Sequence, residues 1–310
     1  MPALTIEQAL FLRSCDGDCH CQGRSPDFRD DWLPEAERMC RGFGDRPESA
    51  PCAAAVFAQP LGKQQVVVAQ VADRPEAGPQ GIGFRLLVLT RSAYRDLAAD
   101  PFLIADRFPP PWGQNGGLPS LTWSEEEPPP RRMVEHVREV LKSPDGAALL
   151  GGVQALVDGG HLALVRPEPQ DFLRKLWLLV PTASRCDLWP ASFAFGNALG
   201  FHALVVPKMV GQGFDHYLNQ EQAEHYPEGR YELNLQLAAE QGDQRELDQL
   251  FARRSRAETW RLGVTLLIVV VVLALASGLL APSRNARPAA PREAPVPAAQ
   301  PEKHAPRATK

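Results

Sequence analysis

The densest run of potentially reactive side chains is Cys15-Asp16-Gly17-Asp18-Cys19-His20-Cys21, with Cys40 and Cys52 further on. Thiolates and imidazoles bind zinc, and a structural zinc site takes four of them in a tetrahedron. Cys15, Cys19, Cys21 and Cys40 are the candidate ligands, and a chain using them would be a zinc-dependent sensor. The spacing argues against it. No Cys-x-x-Cys knuckle is present, and on a strand His20 points away from Cys19 and Cys21. Small buried residues that happen to carry sulfur, with no metal or cofactor, is the favoured reading.

Other chemistries leave fainter marks. The chain has no Gly-x-x-x-x-Gly-Lys-Ser/Thr phosphate loop. Gly81-Ile82-Gly83 and Gly211-Gln212-Gly213 lack the third glycine and the strand-to-helix setting of a dinucleotide site. Neither a Gly-x-Ser-x-Gly elbow nor His-Glu-x-x-His occurs. His202 in an apolar strand, with Asp215 and His216 in a polar loop, would serve an unrecognised membrane-bound hydrolase, but no nucleophile adjoins them in sequence. Asp27, Asp30 and Asp31 beside Trp32 form either an acidic binding edge or a solvated loop. No catalytic residue is assigned, and the sequence reads as a non-enzyme.

These residues need a scaffold, and the hydrophobic pattern supplies one. Strands are expected over Thr5 to Leu12, Cys52 to Gln59, Gln65 to Val71 and Gly83 to Thr90, bounded by Gly, Pro and Asp turns. Pro34 to Arg41 reads as a short helix with proline in its first turn, and Ser92 to Ala99 as another. Residues 1–105 make one α/β unit. Residues 106–130, with seven prolines between Asp106 and Pro130, read as a connector and a domain boundary. Residues 131–227 alternate helix and strand (helices Arg131 to Leu141, Asp145 to Leu156 and Asp171 to Val180; strands His161 to Val165, Ala191 to Phe195 and Phe201 to Val206). That pattern implies a second α/β unit. Residues 228–257 suggest a helical hairpin, capped by Gly242 at the end of its first helix and by Asp243 at the start of its second. The fold class expected is therefore α/β (α+β) in two small units, a helical hairpin, one transmembrane helix and a disordered tail.

The transmembrane expectation rests on residues 262–281, LGVTLLIVVVVLALASGLLA, twenty uncharged residues of which thirteen are Leu, Val or Ile. As a helix they would rise about 30 Å, the thickness of a bilayer's hydrocarbon core. Five basic residues in the twenty before it (Arg245, Arg253, Arg254, Arg256, Arg261) face three in the twenty after (Arg284, Arg287, Arg292). The bias predicts a single-pass membrane protein with a cytoplasmic N-terminal domain and its C-terminal tail outside. The N-terminus shows no signal-peptide pattern, so the six cysteines are expected as free thiols in a reducing compartment. Residues 282–310 hold seven prolines and eight alanines and are expected to be disordered. Without that basic tail the chain has 27 basic against 35 acidic residues, which disfavours nucleic acid as a partner.

Thr5-Ile6-Glu7-Gln8-Ala9-Leu10-Phe11, followed by a turn, a strand and Arg24-Ser25-Pro26-Asp27-Phe28, resembles the N-terminal domain of bacterial GTPase-associated proteins. In that family a Gln-Ala/Leu-Tyr strand precedes Gly-Tyr-Arg and a Ser-Pro-Gly turn. Here Gly17-Asp18-Cys19-His20-Cys21 stands in place of Gly-Tyr-Arg, and Asp27 replaces the glycine. Leu149 to Asp158, His161 to Val165 and Leu176 to Pro181 are similar to the middle domain of the same group, and more faintly to DENN-type regulators. The resemblance implies a non-catalytic module of a regulatory or conflict system. It would be an adaptor at the lipid bilayer, binding a protein partner such as a GTPase, and the resemblance supplies no active-site residues.

Overall fold

A computed structural model describes residues 4–280 except residues 15, 48–51, 53, 79, 115, 125–126, 167–170, 210–211 and 254–255. Met1–Trp260 form one compact unit and Arg261–Lys310 a second.

The first unit is built on one mixed sheet. Its early strands are β1 (Leu4–Arg13), β2 (Cys19–Arg24), β3 (Ala55–Leu61), β4 (Gln65–Asp73) and β5 (Ile82–Thr90), with α1 (Leu33–Gly42) between β2 and β3. Next come α2 (Arg91–Asp96), α3 (Pro101–Arg107), β6 (Gly116–Gly117), β7 (Leu121–Trp123), α4 (Val134–Leu141) and α5 (Gly146–Val157). Then follow β8 (His161–Val165), α6 (Phe172–Leu179), α7 (Thr182–Arg185), β9 (Pro190–Ala191), β10 (Ala203–Val206) and β11 (Tyr217–Leu218). The unit closes with α8 (Gln220–Glu224), α9 (Arg230–Gln241) and α10 (Gln244–Phe251).

The strands run in the order β11-β8-β10-β9-β3-β4-β5-β1-β2-β6, with β7 paired to the start of β1. β3 to β2 form an antiparallel block, and β9, β10, β8 and β11 a parallel one. The blocks meet at a single residue pair, Phe57 with Ala191. Ser192 reinforces it: its N–H donates to the Val56 carbonyl and its Oγ accepts from the Val56 N–H, both at 2.8 Å.

Central strands such as β4 and β5 are buried on both faces, which is why Val66 to Val68 and Leu86 to Leu89 read as continuous apolar runs rather than alternating ones. α1 packs on β1 and β2, α2 and α3 on β3 to β5, and α5 on β8 with α4, α6, α8 and α9 around it. Gly242 takes the left-handed conformation that closes α9, and the Asp243 carboxylate caps α10 by accepting from the N–H groups of Arg245 and Glu246.

The expectation of two small units is corrected. Residues 106–130 do not divide the chain; part of this stretch lies across the sheet as a strap. Arg85 on β5 is fully buried and donates to the Phe108 and Pro109 carbonyls at 2.6 and 2.9 Å. It also donates to the amide oxygens of Gln8 (2.9 Å) and Gln70 (3.1 Å). The Gln70 amide donates to the carbonyls of Ala105 and Phe108, and that of Gln8 to Pro119. Three polar side chains from β1, β5 and β4 thus hold a proline-rich segment whose own carbonyls have no ladder to join.

The transmembrane and membrane-localisation expectations are corrected as well. α11 (Arg256–Leu280) occupies the predicted stretch. Among the described residues no helix is long and apolar enough to cross a membrane. The tail expectation, residues 282–310, lies outside the described residues.

Close packing of α5 on α8 gives a test. A Cβ on Gly151 would sit 1.9 Å from the Ala223 carbonyl oxygen. In an open helix Gly→Ala stabilises by about 1 kcal/mol, whereas forcing backbones apart in a packed core costs about 1–3 kcal/mol. Gly151→Ala is therefore expected to lower the urea midpoint, the opposite sign to propensity.

Candidate functional site

The cysteines are brought together only in part. Cys19, half-buried on β2, lies against the buried Cys40 of α1, and a hydrogen bond from Cys40 holds the Cys19 thiol below its ordinary value. Burial pushes Cys40 well above it, and burial likewise raises Cys21. Cys15 lies outside the described residues. Among the described residues no group of three or more His, Cys, Asp or Glu is placed to hold a metal ion. Cys52 is buried elsewhere, with its N–H toward the Asp73 carboxylate, and burial followed by that carboxylate pushes its thiol up to about 12.

The histidine candidates are likewise brought together only in part. His202 stacks on His161, a residue the sequence reading did not select, with ring centres 5.0 Å apart and planes 10° from parallel. The Tyr217 ring lies tilted against His161, with centres 5.1 Å apart. The Nδ1 of His202 accepts from the Trp189 N–H at 3.1 Å, so that nitrogen is committed to holding β9 in place. Burial, and then the His161 ring, push His202 down to about 4. Burial and His216 lower His161. Asp215 and His216 are exposed. This is an aromatic and imidazole stack at the start of the parallel strands, used for packing and capping. In the acidic loop, Asp30 pairs with Arg24 at 2.5 Å and Asp31 with Arg29.

The concave surfaces lie elsewhere. One of them, about 570 Å³, follows the outer edge of β2 and is lined by Cys21 to Pro26 together with Leu33, Gly116 and Gly117. β2 pairs with β1 on its inner side. On its outer side, among the described residues, β6 meets it only at Gly23 and Arg24, continued by a hydrogen bond from the Leu118 N–H to the Arg24 carbonyl. The pairing is close enough that a Cβ on Gly23 would fall 2.3 Å from the Gly116 oxygen. Cys19 to Gln22 have no strand beyond them among the described residues, and His20 there is exposed.

Behind the end of β2 lies a fixed polar cluster. The Ser25 hydroxyl donates to the Glu7 carboxylate at 2.5 Å and accepts from the Gln8 N–H at 2.9 Å, while Ser120 reaches the same carboxylate at 2.9 Å. All three elements converging at the groove are therefore tied to one buried carboxylate. Sequence reading missed this groove because an open edge is a property of strand order, which β2 does not encode locally; the glycine pair at residues 116–117 was its one visible trace.

No protein-family model, curated protein or solved structure matches this chain. The GTPase association inferred from the resemblance is accordingly corrected: it has no support beyond the short motifs that suggested it.

His202 yields a pH prediction. Because it is held neutral in the fold, the unfolded chain binds the extra proton first, at its ordinary value near 6.5. The stabilisation is complete above that value and is lost as pH falls toward 4. His202→Asn keeps an acceptor for the Trp189 N–H and removes the titration. Denaturation series between pH 7 and pH 4 are expected to show a shallower loss of stability in His202→Asn than in the parent.

Proposed function

We propose that this chain is a non-catalytic adaptor that takes an extended segment of a partner protein along the outer edge of β2. The observation that carries this reading is the half-covered edge: four residues, Cys19 to Gln22, with no strand beyond them among the described residues, beside a groove of about 570 Å³. An open edge is a template for another backbone. Strand addition gives affinity through main-chain hydrogen bonds and selectivity through pockets for alternate side chains. The chain itself supplies a precedent in β6, which pairs there in parallel through two glycines. A partner strand continuing that direction would extend β6's pairing toward Cys19.

The site is also preorganised. β2 is held from behind by β1 and α1 and at its end by the Ser25–Glu7 contact. Less ordering entropy is then lost on binding. Selecting extended peptides from a displayed random library on the immobilised protein tests the reading. Winners with dissociation constants on the order of 10 µM are expected to slow amide exchange at Cys19 to Arg24. Gln22→Pro, which removes a backbone N–H at the one residue of this stretch without a partner on β1, is expected to abolish binding while the thermal midpoint changes little. Peptides that protect another surface, or that still bind Gln22→Pro, would refute the assignment.

A further inference from the structure

Cys19 and Cys40 are a pair of thiols that meet where α1 packs on β2. One arginine fixes the backbone of both. Arg13 is the β1 residue opposite Cys19 in the strand register, and its guanidinium donates to the Cys40 carbonyl at 2.9 Å. It also donates to the Gly44 carbonyl at 2.8 Å, so the end of α1 is tied to the strand pair that carries Cys19. The Cys40 side chain is 0% exposed, and its thiol donates a hydrogen bond to the Cys19 sulfur.

The two sulfurs are unequal. Cys19 packs against the core yet keeps part of its surface in solvent. The hydrogen bond from Cys40 holds its thiol below the ordinary value; Arg41 and Arg13 act in the same direction, burial and Glu37 in the opposite one. Burial keeps Cys40 protonated. A redox-reactive cysteine needs thiolate character, access and a second thiol within reach. Cys19 has the first two, and Cys40 is the third. Two sulfurs packed for volume alone would both be sealed, whereas here one of them faces solvent.

The neighbouring thiols lack this arrangement. Cys21 lies two residues along the same strand, where its thiol donates to the Gly23 carbonyl at 3.6 Å and burial raises it. Cys52 is buried, and burial followed by Asp73 pushes its thiol up to about 12.

We propose that Cys19 and Cys40 are a peroxide-reactive pair that closes to a disulfide, with Cys19 as the attacking sulfur and Cys40 as the resolving one. The oxidant class is a small hydroperoxide, because a half-buried sulfur in the seam between β2 and α1 offers little room to anything larger. The Cys19 thiolate attacks one peroxide oxygen, the O–O bond breaks, and the second oxygen leaves as hydroxide and is protonated to water. Cys19 is then a sulfenic acid. The Cys40 sulfur attacks it; the S–S bond forms as the S–O bond breaks, and the departing hydroxide takes the proton that Cys40 holds toward Cys19. Two thiols are oxidised, one peroxide is reduced and two waters result. Because the sulfurs already share a hydrogen bond, closing them to a bond of about 2.05 Å does not require α1 to unfold. The pair is read on its own sulfurs and stands whether or not the β2 edge takes a peptide.

The full chain, reduced and freed of reductant, is treated with one equivalent of hydrogen peroxide, alkylated in denaturant and mapped by mass spectrometry. The peptide holding Cys40 is expected joined to that holding Cys19, with the link reversed by dithiothreitol. Cys52 is expected to oxidise at least about tenfold more slowly. Cys19→Ser is expected to abolish the link, and Cys15→Ser and Cys21→Ser to keep it. In Cys40→Ala the sulfenic acid has no resolving thiol, so dimedone is expected to label Cys19. Absence of the link in the parent, a link to Cys40 that survives Cys19→Ser, or dimedone on another cysteine in place of Cys19 would each overturn the assignment. Should Cys40→Ala fail to fold, the parent map and Cys19→Ser, at a half-buried position, decide it.

Discussion

Guanidinium groups buried against backbone carbonyls hold this fold together. Arg85 is the central case: its Nε and Nη1 donate in a fixed fork to the glutamines on either side and to the strap above. A buried cation is tolerable only when nearly all its donors are used, so the Phe108 and Pro109 carbonyls must lie where they do. The same solution recurs at helix ends. Arg13 donates to the Cys40, Arg41 and Gly44 carbonyls at the close of α1, and Arg138 to Ala239 at the close of α9. Arg132 and Arg185 both serve the last turn of α6. Terminal carbonyls lack intrahelical donors and carry the negative end of the helix dipole; a cation answers both needs at once.

This economy explains why the two blocks of the sheet behave as one body. Their strand pairing is minimal, but Trp177 and Arg185 from the parallel half reach Ala98, Ala99 and Asp100 in the antiparallel half, and Arg174 pairs with Asp106 at 2.6 Å. Aromatic rings continue the join, with Phe43 and Phe57 stacked and Phe57 edge-on to Phe201. Side chains, rather than the hydrogen-bond ladder, carry the coupling.

Much of the local structure was legible in the residues. His161 to Val165 is the predicted strand to the residue, and the Gly242-Asp243 junction caps its helices as read. What was not legible is non-local. Nothing near Phe57 announces Ala191, and prolines that usually mark a linker here mark a segment held by an arginine more than twenty residues earlier. The same limit applies to the sites. Cys19 and Cys40 meet, as a cysteine list would suggest, whereas the β2 groove depends on which elements become neighbours.

The brevity of β9 has a bearing on how the chain avoids its own copies. It covers only Phe57, so most of the outer side of β3, an apolar strand reading AVFAQPL, lacks a full-length neighbour. Such a strand invites edge-to-edge association and aggregation. Pro60 lies within it and offers no N–H to an incoming chain, and the Gln59 amide is turned to the Leu199 carbonyl at 3.2 Å. A single imino acid, placed beyond the reach of β9, withholds a donor from further pairing along this side of β3.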